Sequence, residues 1–339
     1  MKKQLTTVLA VLSTAAFMHT ASAQDTLFDA GFLSVSGQVE MDSLISENSS
    51  NEVIDDLNMR ATVTLSARIT DNIRAVVTAE LRQALRENGM DSSNLGSFDI
   101  EEFVKEAYIE VRVLDGKPLA FIVGKHEIAF GQNFSAMPLN DQGSSSAIGS
   151  LTRQDQVMGI TMALDHDFFG LIDRAEVSIF ETEAGDLDIG RMDNVSVRLS
   201  RDIGRNLRVN GSYMNRNDGA NGDREHRGAL GLVYSSGDWT AYVEGVGMID
   251  NAEYPDANFA TTLGTSYDVG FGVVAVEYSY IQQSLHKFGL GFEARVTDSI
   301  TIGPEISYSM DENGENGSVS GGVRVTLKPK DEDQRRKRD

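Results

Sequence analysis

The sequence predicts an all-β fold: a transmembrane antiparallel β-barrel of about 16 strands, with short turns at one end and longer loops at the other. Three observations predict it. Segments of about ten residues alternate apolar and polar side chains with period two. The connections between them alternate short and long. The first residues read as an export signal, which takes the chain out of the cytosol.

That signal occupies residues 1–23. Lys2 and Lys3 form its basic start, Leu5 to Met18 its apolar core and Ala21-Ser22-Ala23 its cleavage site. The core is shorter than the ~20 residues a membrane helix needs. The mature chain is expected to start at Gln24, with no Cys nearby to carry a lipid anchor. Cys is absent throughout, which excludes disulfides and thiol chemistry. Losing the signal takes the formal charge from −21 to −23, because residues 1–23 hold two Lys and no acid. So acidic a chain does not bind nucleic acid, which needs a basic face. Mean hydropathy is slightly polar. A barrel has that balance when polar lumen residues dilute the lipid-facing apolar ones.

The segments follow in order. The first is Leu33-Val35-Gly37-Val39-Met41, with Ser34, Ser36, Gln38 and Glu40 between. The loop SENSSNEVIDD separates it from a second, Leu57 to Ile69, whose other face carries Arg60 and Arg68. Asp71-Asn72 turns into a third, from Ile73 to Leu81, opposed by Arg74, Glu80 and Arg82. Its end is ambiguous: Leu81, Ala84 and Leu85 also fit a helix, as do Phe103, Ala107 and Val111. The fourth segment spans 101–114, and Asp115-Gly116-Lys117-Pro118 turns it into the fifth.

The fifth, Leu119 to Phe130, leads into the longest polar connection between strong strand signals, residues 131–150. Eleven further segments follow, the last being Val319-Gly321-Val323-Val325-Leu327. The connections place both termini at the end with short turns. The barrel is assigned to 24–327, and 328–339 (KPKDEDQRRKRD) to a polar periplasmic tail.

A soluble sandwich would show the same alternation. The barrel is favoured by export, by the strand count, and by polar faces that mix small residues with both signs of charge. These charges are Arg60, Arg68, Arg74, Glu80, Arg82, Glu244, Glu277, Glu293, Arg295, Glu305 and Arg324. Trp239, Phe259, Tyr267, Phe288 and Tyr308 lie near strand ends, as interfacial girdles require, although ordinary β-propensity also places aromatics in strands.

Enzyme chemistry finds no constellation. His126, His166, His226 and His286 sit on separate segments without metal-ligand spacing, and neither GxSxG nor HExxH occurs. His126 has Ser144, Ser145 and Ser146 downstream, but a lone His at a strand end is far more often structural. The acidic loop DENGENG lacks calcium-loop spacing. No enzyme activity and no cofactor are expected.

The whole pattern resembles the Gram-negative general porins. The string VGKHEIAFG, followed by NDQGSSSAIG, resembles the strand and loop of carbohydrate- and siderophore-type porins. The resemblance covers nearly all of the mature chain as a match of periodicity. It implies passive diffusion of small hydrophilic solutes and ions through the cell outer membrane, a loop folded into the lumen, and a homotrimer. The partners it implies are outer-membrane lipids and lipopolysaccharide. One departure stands: the last strand ends at Leu327 rather than at a terminal aromatic.

On this reading, loop 131–150 forms the constriction. Asp141 and Asn140 face Arg60 and Arg82 across the pore, and Asp141 and Glu80 are candidate counter-charges for the Arg pair. Pairing residue 70 with 73 makes Arg82 the partner of Ala61, beside Arg60. The alternative of a different class is a non-conducting structural or adhesive barrel, or a secreted soluble β-protein.

Overall fold

The computed structural model describes residues 28–29, 32–47, 53–86, 104–113, 119–132, 137, 151, 154–168, 172–181, 192–217, 224–297, 299–311 and 317–327. The signal, loop residues 138–150 and the tail 328–339 lie outside the described residues.

The described residues form a two-residue strand, β1 (Phe28–Asp29), and sixteen longer ones. The first eight of these are β2 (Leu33–Glu47), β3 (Val53–Thr70), β4 (Ile73–Arg86), β5 (Val104–Val113), β6 (Leu119–Ile128), β7 (Gln154–Phe168), β8 (Ile172–Phe180) and β9 (Asn194–Ile203). The rest are β10 (Leu207–Arg216), β11 (Glu225–Ser236), β12 (Trp239–Ile249), β13 (Phe259–Asp268), β14 (Gly272–Ile281), β15 (Leu285–Thr297), β16 (Ile300–Asp311) and β17 (Gly317–Leu327). Each long strand pairs antiparallel with its neighbours in sequence. β17 also pairs with β2, from Val319↔Glu47 to Leu327↔Val39, so the pairings run around a ring.

All sixteen expected segments are strands. The two helical ambiguities resolve to β, because β4 continues to Arg86 and β5 starts at Val104. The first loop is shorter than SENSSNEVIDD: β2 and β3 stay paired out to Glu47↔Val53. There the pairing continues where neither face is consistently apolar, so alternation does not reveal it.

One face of each strand points outward and is apolar. Leu230, Val276, Leu290 and Ile306 project from it, as do Trp239, Phe259, Tyr267, Phe288 and Tyr308. In a membrane these atoms meet lipid rather than water. The inward face carries the polar groups, among them Glu110, Glu176, Glu244, Glu277, Glu305 and Arg324, all buried.

The core also lies inside the ring. Ile128, Phe130, Leu151, Val157, Phe180, Met214, Ala229, Val246, Met248, Ala257, Ala260 and Ile281 form one apolar cluster. Its wall residues come from the loop-end halves of β6 to β14, so that side of the lumen is packed.

Candidate functional site: a loop inside the lumen

The chain leaves β6 at Ile128 and turns inward instead of outward. Ser196 Oγ on β9 donates to the Ala129 carbonyl at 2.8 Å. Gly131 N donates to Ser212 Oγ on β10 at 2.8 Å, and its φ of 62° explains the glycine at this bend. Gln132 N donates to the Glu244 carboxylate on β12. The Gln132 side chain rests on Gly231 of β11, where an added Cβ would overlap it. Met137 reaches Gly289 on β15, its Cε 2.7 Å from where a Cβ would stand. Every one of these wall residues belongs to the inward-facing set, so residues 129–132 and Met137 lie against the inner wall between β9 and β15. Phe130 and Met137 are buried there and pin the chain to the wall.

Glycine and serine at the contact points thin the wall and make room for the loop. The same device recurs one strand on. Tyr242 lies across Gly264 and donates its hydroxyl to Glu277 at 2.5 Å, spanning three strands. This fixes a fully buried carboxylate beside the loop.

Eight strands away around the ring stand β3 and β4. Their register places Arg60 opposite Arg82, and Ala61 opposite Leu81. Arg82 is therefore not the partner of Ala61. A bulge between Arg68 and Thr70 shifts the ladder by one residue, and that shift puts both Arg positions on the same face. Glu80 pairs with Thr62, one pair further along the same inward face. Its carboxylate lies 3.9 Å from Lys105 Nζ. Asn140 and Asp141 lie outside the described residues, so the constriction is described on its wall side alone.

Sequence reasoning missed that Glu40 stands in register with this Arg pair. β2 places Glu40 directly across from Arg60, and Asp42 in line with Arg324. The row therefore reads Glu40, Arg60, Arg82 across three strands. The signal was present, since Glu40 ends the polar face of the first segment; only the β2–β3 register was missing.

Toward the short-turn end the lumen charges pair locally. Glu110 accepts from Arg74 at 2.6 Å and from Arg112 at 2.8 Å. Glu176 accepts from Arg174 at 2.9 Å and from Arg198 at 2.6 Å. At that end the signs thus alternate along the wall.

No protein-family model and no curated protein matches this chain. Solved structures do. OmpF of Salmonella typhi, in a complex with daunomycin, has TM-score 0.62 at 15% identity, over 89% of this chain and 99% of that one. A mutant porin of Rhodopseudomonas blastica has TM-score 0.57 at 13% identity, over 87% and 100%. A loop-deletion mutant of the outer membrane protein OmpT of Vibrio cholerae has TM-score 0.56 at 12% identity, over 87% and 99%.

The chain has the porin fold.

Within that fold the remaining candidates take structural places. His126 is buried in the wall: Nδ1 donates to the Gly124 carbonyl at 2.9 Å, which leaves Nε2 to accept from Thr161 Oγ1 at 2.7 Å. Among the described residues no three His, Asp or Glu side chains gather as metal ligands.

Proposed function

We propose that the protein is an outer-membrane porin, a water-filled channel for passive diffusion of small hydrophilic solutes and ions. The observation that carries this reading is the seat of residues 129–132 and of Met137 on the inner wall. A loop that enters a polar lumen in this way narrows a passage; it does not decorate a surface. Asp141 and Asn140 complete the constriction from the loop side, facing Arg60, Arg82 and Glu80 from β3 and β4. The Arg pair and the carboxylates make a transverse field that orients polar solutes and helps set the size limit. No catalytic step is assigned to the lumen.

The partners of this channel are outer-membrane lipids and lipopolysaccharide, whose phosphates cations can bridge to the acidic loops, and two further copies of the chain. Support for a homotrimer comes from the outer surface. Among the described side chains, β10 to β16 project Tyr213, Tyr234, Trp239, Phe259, Tyr267, Tyr278, Phe288 and Tyr308 outward, whereas β2 to β9 project Phe121 alone. A wall whose described strands carry one outward aromatic, with Phe32 exposed just before β2, suits protein neighbours better than headgroups.

A non-conducting structural or adhesive barrel is the second reading, favoured by the apolar cluster that fills one side of the lumen. Planar bilayers with the purified protein under a salt gradient separate the two. The channel gives stepwise conductance with weak cation preference, because the acidic loops draw cations while the lumen mixes signs. Silence in the bilayer from correctly folded protein supports the second reading.

A further inference from the structure

The returning leg of the same loop meets a buried charge cluster on β10 and β11. Glu225 is fully buried and Arg227 nearly so. Arg227 Nε donates to Glu225 Oε1 at 2.5 Å, and Arg216 Nε to Glu225 Oε2 at 2.5 Å. Arg227 Nη1 points away from this pair and donates to the Leu151 carbonyl at 2.9 Å. Its cross-strand neighbours are Met214 and Met248, and Ala229 and Val246 complete the apolar wall. Asn251 adds a third donor to Glu225, and its own side-chain oxygen accepts Tyr254 N at 2.7 Å. Glu225 thus holds the connection 250–258 directly at Asn251, and that between β6 and β7 through Arg227 at Leu151.

A guanidinium in such surroundings is expensive. Burying an ion pair costs desolvation that packed apolar side chains would avoid, so its presence is poor evidence of added stability. What the group does supply is direction. It offers one charged donor to one backbone carbonyl at the point where the loop comes back to β7. The outgoing leg has Ser196, Ser212 and Glu244 for the same purpose.

We infer that Arg227, oriented by Glu225 and Arg216, is a positioning residue that latches the returning leg of the constriction loop and thereby holds the pore at its width. The inference rests on the channel reading for its consequence, but the latch itself is testable without conductance.

The chain has no native Cys, so Leu151→Cys is a clean reporter of a buried position. Thiol labelling of folded, heat-modifiable L151C protein is compared with and without Arg227→Met. Loss of a charge-assisted hydrogen bond from a buried site is expected to raise the labelling rate about tenfold or more. Arg74→Met, which breaks a pair at the far end of the lumen, leaves the rate unchanged. In bilayers R227M then shows fluctuating, larger conductance levels. Should R227M fail to fold, Arg227→Lys is read in the same way with a smaller increase. Equal labelling rates in every folded variant overturn the latch. Faster labelling in a protein whose parent does not conduct keeps the latch and removes the channel.

Discussion

Tyr242 reaches Glu277 because Gly264 stands between them without a side chain. A methyl there would occupy the space of the Tyr242 ring, and the strand backbone on either side is paired and does not yield. The ring must then leave, and Glu277 loses its hydroxyl donor. Gly264→Ala is expected to destabilise the folded barrel by about 1–3 kcal/mol, the usual cost of overpacking a fitted site. Urea midpoints read from the heat-modifiable gel band measure it, and an unchanged midpoint would show that the ring moves without cost. Gly124 has a different reason to be glycine: its φ is 129°, a conformation that side chains avoid.

At the scale of elements, the strands were legible and the loop contacts were not. A barrel strand has two unlike faces, so period two writes it into the chain residue by residue. This is why Leu57 to Ile69 and Phe288 to Val296 are recognisable without any structure. The register of β3 on β4 was not legible, because the bulge near Ile69 inserts one residue and leaves the apolar pattern on each side intact. Glu40 went unseen beside Arg60 because the β2–β3 ladder joins strands across a polar loop whose length does not set the register. The loop's seat on Ser212, Gly231, Glu244 and Gly289 joins residues far apart in sequence, and nothing local encodes it. Small residues in the polar faces of β10, β11 and β15 were the available hint. If Asp141 is the loop's charge at the constriction, Asp141→Asn shifts ion preference toward anions by reversal potential. A potential identical to that of the parent protein would take Asp141 out of the pore.

For the whole molecule, the outer surface divides into two halves. On the proposed homotrimer the aromatic-bearing wall, β10 to β16, meets lipid, and the wall of β2 to β9 meets neighbouring copies. This predicts unequal lipid contact. A bimane probe on Ile109→Cys of β5 should be quenched by brominated lipid clearly less than one on Leu230→Cys of β11. Both positions face outward and are exposed in the single chain. Equal quenching would mean that both walls meet lipid and that the barrel works alone. The acidic chain also predicts a cation preference that fades with salt, since the screening length is ~10 Å at 0.1 M.

The central claim is that the loop between β6 and β7 narrows a conducting lumen. Deletion of 134–146 tests it most directly, with single-channel conductance and the solute size limit measured on protein that still shows the heat-modifiable shift. The outgoing contacts at Ala129, Gly131 and Gln132 and the return at Leu151 lie outside the deletion, which among the described wall contacts removes that of Met137 on Gly289. The account predicts that conductance and size limit both rise. Unchanged conductance in the folded deletion variant would contradict it.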